Sequence, residues 1–145
     1  MNPVKDRVDA WAGLLRRLGR RVTATRLAVY EALIQATNHP TADEIYRRVR
    51  QRLPSISRAT VYNTLETLVA DREAGVLLED SSGPARFDGA RERHHHFVCR
   101  RCGRIEDVRA RELDRLPAPR GVGRVDSHSV TFRGVCRRCD PALRR

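Results

Sequence analysis

The strongest constraint on the fold is the placement of the four cysteines in two identical pairs, Cys99-Arg-Arg-Cys102 and Cys136-Arg-Arg-Cys139. Each turn can present two thiolates to one ion, and two such turns complete the tetrahedral site typical of structural zinc. Because 33 residues separate the pairs, more than in a compact zinc ribbon, we expect them on separate sheet elements joined by the fold. Disulfides and a redox-active pair are the alternatives. A reducing compartment disfavours the first, and two matched copies disfavour the second.

Charge is the next constraint, since the 145-residue chain carries 29 basic and 18 acidic residues, a net charge of +11. Such an excess favours polyanions such as DNA, although a solubilising arginine-rich surface would give the same total.

No apolar run approaches the roughly 20 residues of a membrane span, and the N-terminus has no apolar signal-peptide core. We therefore expect a soluble, cytoplasmic protein without a membrane partner.

The first half of the chain predicts helices followed by a hairpin. Apolar periodicity predicts helices over 8–19, after Thr23, over 42–52 and, capped by Ser57, over 58–70. Segments 75–79 and 85–87 predict a hairpin around a Ser-Ser-Gly-Pro turn. The last three of these helices and the hairpin are typical of a winged helix-turn-helix, although a helical subdomain with a merely solvated polar face would show the same pattern.

Polar side chains of the last helix are suited to DNA, because Arg58 and Asn63 can read base edges. Arg16 and Arg20 follow the polar side of the first helix and could meet phosphates. The DNA-binding candidates are Arg16, Arg20, Ser57, Arg58, Thr60, Tyr62, Asn63 and Thr64.

The second half predicts a small α/β domain, which makes the fold class α+β. Strands are expected at 96–99, 103–108 and 125–135, with a short helix at 111–116. The polar segment 89–93 is the best linker, so the predicted organisation is a DNA-binding domain over 1–88, a hinge over 89–93 and a second domain over 94–145.

Three consecutive histidines suggest a second metal site. On a strand, His94 and His96 point to one face while His95 points to the other. Asp88, Asp107 and His39 lie near features already identified. Nitrogen and oxygen donors without a thiolate suit Fe(II), Mn(II) or similar ions. A fortuitous exposed histidine run is the alternative.

These segments carry a family resemblance. RRVTATRLAVYEAL, HPTADEIYRRV, ISRATVYNTLETL, RFDGARERHHHFVCRRCGRIEDV and VCRRC resemble the ferric uptake regulator (Fur) superfamily, from about residue 14 to residue 139, and most closely its peroxide-sensing (PerR) branch. The resemblance implies a homodimeric, metal-dependent repressor of operator DNA, with a winged helix hinged to a dimerisation domain. It also implies structural zinc on Cys99, Cys102, Cys136 and Cys139.

The resemblance further implies a regulatory Fe(II) or Mn(II) site. Its ligands would be His39, Asp88, His94, His96 and Asp107. Iron-sensing members typically carry Glu at the position of Asp107, so peroxide sensing is expected, through iron-catalysed oxidation of His39 or His94. An iron- or manganese-homeostasis repressor of the same family is the alternative.

Functions of other classes are weaker. A zinc hydrolase would need an open coordination position and a general base, for which Glu92 or Glu106 could be imagined. A constitutive zinc-ribbon adaptor is a further alternative. We expect neither an enzyme nor an organic small-molecule substrate.

Two departures from the family pattern stand out. The segment between Leu65 and Gly75 is about three residues longer than usual, and Thr25 replaces a glutamine. Arg93 stands where some relatives have a ligand of a third site, so we expect His128 to serve packing or a hydrogen bond.

Overall fold

The computed structural model describes residues 2–77 and 83–143, which form two compact units, Met1–Arg91 and Glu92–Arg145. The division between Arg91 and Glu92 falls inside the interval 89–93. None of the helices in the described residues has the length and apolar character needed to cross a membrane.

The described residues of the first unit form four helices and a hairpin. In chain order these are α1 (Pro3–Arg17), α2 (Ala24–Ile34), α3 (Ala42–Arg50), α4 (Arg58–Ala70), β1 (Gly75–Leu77) and β2 (Arg86–Asp88). Strands β1 and β2 pair antiparallel, with Val76 opposite Phe87. The predicted hairpin is therefore present, but its residues 78–82, which include part of the predicted turn, lie outside the described residues.

Side-chain caps determine where the helices begin. The Thr23 and Ser57 hydroxyls accept from the backbone N–H groups of Arg26 and Thr60, at 3.2 and 3.1 Å. Thr41 forms a capping box with Glu44. Each cap satisfies backbone donors that the first turn of a helix leaves unpaired.

Helix α1 begins five residues before the predicted start at residue 8. The Asn2 side chain accepts from the N–H groups of Val4 and Lys5, and Pro3 occupies the first helical position. This first turn is largely polar, so apolar periodicity did not reveal it. The helix ends at Arg17, and Gly19 follows with φ +67°.

The core of the first unit joins all four helices to β2. Its large buried side chains are Trp11, Leu15, Val29, Tyr30, Leu33, Ile45, Val49, Ile56, Val61, Leu65, Leu68 and Phe87. Their burial leaves the opposite side of α4 exposed at Tyr62 and Asn63.

Over residues 92–143, the second unit is built on a three-stranded sheet with little apolar core. Its elements are β3 (His95–Cys99), β4 (Ile105–Val108), α5 (Arg111–Asp114), β5 (Thr131–Gly134) and a 3-10 turn (Pro141–Leu143). The strand order is β4-β3-β5, with β3 antiparallel to β4 and parallel to β5. Among its described apolar residues, those buried are Val98, Cys99 and Cys136.

The predicted strand over 125–135 is much shorter in the structure. It covers only Thr131–Gly134, because regular pairing with β3 starts where Val130 accepts from the N–H of His96 at 2.9 Å. Within residues 2–77 and 83–143, no strand pairs with the alternating segment 125–129.

Candidate metal centres and nucleic-acid interface

The four cysteines converge at one end of the second unit. Their sulfur atoms all lie within 4.8 Å of one another, and all four thiols are free. The sulfurs of Cys102 and Cys136 are 3.8 Å apart, far beyond a disulfide bond. Four thiolates around zinc at about 2.3 Å would have edges of about 3.8 Å. The cluster therefore fits one tetrahedrally coordinated zinc ion.

Local turns place these sulfurs. After Cys99 the chain turns at Gly103, whose φ of +69° favours glycine and whose N–H donates to the Cys99 carbonyl at 2.8 Å. The Cys136 N–H donates to the Cys99 sulfur at 3.3 Å. This connects the first turn to the second across the sheet.

Thiolate formation differs among the four cysteines. Backbone N–H groups, above all that of Cys136, lower the pKa of the Cys99 thiol to about 6. Hydrogen bonds to the neighbouring sulfurs of Cys102 and Cys136 raise the pKa of Cys139 to about 12. The backbone thus favours the thiolate of Cys99, whereas the neighbouring sulfurs disfavour a thiolate at Cys139.

In the first unit, His39 and Asp88 lie together although 49 positions separate them in sequence. Strand β2 carries Asp88 and holds the loop before α3: Arg86 donates to the His39 carbonyl at 2.9 Å, and the Phe87 N–H to the Pro40 carbonyl at 2.9 Å. The Nε2 atom of His39 is 3.8 Å from Oδ2 of Asp88, and both side chains are largely buried.

In the second unit, His94, His96 and Asp107 lie together. His96 and Asp107 are direct partners across the β3–β4 ladder. The His94 and His96 rings are 4.7 Å apart between centroids, and His94 Nε2 is 3.7 Å from Asp107 Oδ1. One donor atom from each of the three residues lies within 4.8 Å of the other two. The trio therefore presents two imidazoles and a carboxylate to one point.

The orientation of His94 favours metal binding through Nε2. Its Nδ1 lies 2.7 Å from the Glu92 carbonyl, which can only accept, so Nδ1 carries the proton. Nε2 then carries the lone pair, which is the form in which it can bind an ion. Metal-binding histidines commonly have their other ring nitrogen bound in this way.

His95 has a different role, as its position on the strand predicts. It is fully buried, and its Nδ1 accepts from the Val130 N–H at 3.1 Å. The proton therefore resides on Nε2, which lies 3.3 Å from Asp114 Oδ1. His128 lies 2.7 Å from the Leu113 carbonyl through Nε2, which agrees with the hydrogen-bonding role expected for it.

The exposed face of α4 presents DNA-binding candidates. Tyr62 is 46% exposed and Asn63 is exposed beside it. The Arg58 guanidinium pairs with Asp43 and lies 4.5 Å from the Tyr46 ring centroid. Ser57 and Thr60 hydroxyls are 2.9 Å apart at the start of the helix. Arg58 is thus held at the N-terminal end of the exposed face, beside the Ser57 cap.

This geometry can be compared with known proteins. The model of the ferric uptake regulator family matches residues 17–130. The chain belongs to this family. The peroxide operon regulator of Bacillus subtilis (strain 168) is 37% identical over 130 residues, covering 86% of this chain and 88% of that relative. The resemblance seen in the sequence is confirmed.

Two solved structures of the family extend the comparison. PerR from Streptococcus pyogenes is 31% identical with a TM-score of 0.54, covering 92% of each chain. The ferric uptake regulator Fur of Helicobacter pylori has a TM-score of 0.80 at 23% identity, covering 95% of this chain and 94% of that one. The latter shows the fold, and the expected α+β class with a winged helix is confirmed.

One DNA-binding candidate of this family member is wrongly placed by the sequence analysis. Thr64 is only 1% exposed, and its hydroxyl donates to the Thr60 carbonyl at 2.7 Å. It lies three residues after Val61 and four before Leu68, both buried in the core. Helical spacing therefore places Thr64 on the inner face, where the internal hydrogen bond allows its burial.

Arg20 has a structural partner in addition to any DNA contact. Its guanidinium pairs at 2.7 Å with Asp71, which also accepts from the Trp11 indole at 3.0 Å. Arg26, which was not among the predicted DNA-binding residues, lines one groove with Arg20, Arg21, Asn63 and Thr67. Its place three residues after the Thr23 cap could have indicated this side of α2.

Proposed function

We propose that this member of the ferric uptake regulator family is a metal-dependent transcriptional repressor that senses peroxide. The observation that carries the proposal is the histidine–carboxylate donor set, a pair in one unit and a trio in the other. Relatives at 36–37% identity over 86% of the chain are named peroxide regulators. This supports peroxide sensing over metal homeostasis.

The metal assignment follows from donor chemistry. Structural zinc would be held by Cys99, Cys102, Cys136 and Cys139. The regulatory ion, Fe(II) or Mn(II), would be held by His39, Asp88, His94, His96 and Asp107. Imidazoles and carboxylates without sulfur suit these borderline-to-hard ions, whereas four thiolates suit zinc.

Regulation requires that metal binding change the DNA-binding state. The proposed hinge over 89–93 joins a DNA-binding domain over 1–88 to a dimerisation domain over 94–145. One ion with ligands on both sides of this hinge would restrict the relative orientation of the two domains. The free energy by which the metal shifts the equilibrium equals the difference between its binding free energies for the DNA-binding state and for the state that does not bind DNA. A switch from 1:99 to 99:1 needs about 5.5 kcal/mol, which five ligands could supply.

The partners would be double-stranded operator DNA in the cytoplasm and a second copy of the chain. Strand β5 is an edge strand: among the described residues, none pairs with its outer side, and Phe132 on it is 44% exposed. An exposed edge bearing an aromatic side chain is suited to pairing with its copy in a two-fold dimer. The dimer would present two α4 helices to successive major grooves. This is the role of a regulator and not of an enzyme.

The test measures operator binding by the zinc-loaded protein with added Mn(II) or Fe(II), before and after peroxide. We expect both ions to support binding, and peroxide to abolish it only in the iron form, since manganese(II) reacts poorly with peroxide. Binding that needs no added ion would contradict a metal-dependent repressor. Iron-dependent binding that survives peroxide would favour metal homeostasis.

A second measurement addresses base reading by α4. Replacement of Asn63 by alanine should cost about 1–3 kcal/mol at one base position and relax preference there, because an exposed amide can bond an adenine edge in two places. Arg16→Gln, as the comparison variant, should weaken binding to all sequences alike and flatten its salt dependence. Unchanged affinity and preference in Asn63→Ala, measured on a set of operator variants, would refute the assignment.

A further inference from the structure

The start of the linker is held against the helical unit by a chain of polar contacts. The Arg7 guanidinium on α1 donates at 2.7 Å to the carbonyl of Gly89 and at 3.1 Å to the hydroxyl of Tyr30. The same guanidinium lies 5.5 Å from the Tyr30 ring centroid. A single arginine thus connects α1, α2 and the first linker residue.

The contacts continue through Glu73. The Tyr30 hydroxyl donates to the Glu73 carboxylate, whose other oxygen lies 3.7 Å from the Arg91 guanidinium. Burial raises the pKa of Tyr30 to about 12, and the hydrogen bond to the Glu73 carboxylate is the second contribution to this shift. Tyr30 therefore remains a neutral donor at physiological pH and keeps Glu73 in place.

Glu73 lies in the segment between Leu65 and Gly75, for which the resemblance implies about three residues more than the family pattern. A turn after α4, in which Arg72 has φ +59°, lets the Glu73 N–H donate to the Leu68 carbonyl at 2.8 Å. This turn places the Glu73 carboxylate between Tyr30 and Arg91.

Close packing fixes the linker backbone at Gly89. A Cβ there would lie 3.0 Å from the Leu33 carbonyl oxygen and 3.2 Å from its carbonyl carbon, so any side chain would push the linker away from α2. Held between Leu33 and Arg7, Gly89 determines where the next peptide group lies.

That peptide group orients Asp88. The Ala90 N–H donates at 2.8 Å to Oδ1 of Asp88, while Oδ2 lies 3.8 Å from His39 Nε2. One carboxylate oxygen is thus held by the linker backbone, and the other faces the histidine. A displaced linker would release Oδ1 and let the carboxylate rotate.

From these contacts we infer that Arg7, Tyr30 and Glu73 are positioning residues for Asp88, which tune the metal affinity of the regulatory site without touching the ion. The inference rests on the proposed function, in which Asp88 is a ligand. Groups that orient metal ligands typically change metal affinity by 10- to 100-fold when they are removed.

The experiment titrates Mn(II) into the full-length, zinc-loaded protein and measures its dissociation constant by electron paramagnetic resonance. Arg7→Gln should raise that constant about tenfold, with zinc content unchanged. Tyr30→Phe and Glu73→Gln should raise it in the same direction, and they serve as second variants if Arg7→Gln does not fold. Glu31→Gln is the matched control, because Glu31 has no part in the contacts of the linker described above and pairs with Arg52 at a distance of 3.4 Å. This variant should bind Mn(II) like the parent protein.

A double-mutant cycle separates positioning from general stability. In an Asp88→Ala background, Arg7→Gln should have almost no further effect, because the ligand it orients is gone. The inference would be overturned if all three variants bound Mn(II) with the dissociation constant of the parent. It would also be overturned if Arg7→Gln still weakened Mn(II) binding tenfold in the Asp88→Ala background. Either result would leave the proposed function intact. A parent that retains zinc but binds no Mn(II) would overturn both.

Discussion

Replacing Cys99 or Cys136 with serine is expected to remove the zinc and unfold the second unit. A serine hydroxyl is a poor zinc ligand, and the remaining three sulfurs leave the tetrahedron incomplete. Zinc binding to such four-ligand sites releases about 10–16 kcal/mol, much of which appears as folding free energy. This is the largest stability effect that we predict for a single substitution in the chain.

The size of the effect follows from how little else holds that unit together. Among the described residues of the second unit, the buried apolar ones are Val98 and the two cysteines Cys99 and Cys136. By contrast, the first unit buries a cluster that includes Trp11 and Tyr30. A small domain with so limited a core needs a metal or a comparable crosslink.

The measurement combines zinc content by mass spectrometry with thermal unfolding and amide hydrogen exchange. We expect exchange protection to disappear from β3, β4 and β5 but to persist in the helices of the first unit. Arg100→Gln is the matched control, since it changes the same turn and keeps all four sulfurs. Zinc loss with an unchanged melting profile and retained dimerisation would show that the site is not structural.

Local sequence signals predicted much of the site and its surroundings. The cysteine pairs predicted the cluster because four sulfurs at that spacing have few other uses. The i, i+2 spacing of His94 and His96 predicted their common side, although β3 begins only at His95. Thr23 and Ser57 marked the starts of two helices because their hydroxyls act within one turn.

Features that depend on distant contacts were not predictable in this way. Alternation within 125–135 gave no information about the partner strand, and only Thr131–Gly134 pairs with β3. Arg20 and Asp71 are 51 positions apart, so their ion pair could not be read from either segment. Thr64 was a different error, because the helical period of Val61, Leu65 and Leu68 already places it inside.

Peroxide is expected to inactivate the iron form by oxidising His39 or His94. When bound, iron(II) would activate peroxide at the site, whereas manganese(II) reacts poorly with it. In the net reaction the Cε1 carbon of the imidazole gains one oxygen atom, and the two electrons that the ring gives up reduce peroxide to water. The resulting 2-oxo ring is a poor donor, so the protein would lose one of the five proposed ligands. Because the structure buries His39 and His94 to 7% and 9% exposure, oxidant from bulk solvent would reach them less readily than oxidant produced at the site.

Mass spectrometry of peptides from the iron and manganese forms after peroxide tests this directly. We expect a single added oxygen on His39 or His94 in the iron form alone, appearing together with the loss of operator binding. His128 provides an internal control: it is a partly buried histidine outside the proposed ligand set and should remain unmodified. Metal-independent oxidation of all three histidines would indicate general damage. Oxidation confined to the cysteines would instead place the sensor at the zinc cluster, because loss of its thiolates would then account for derepression.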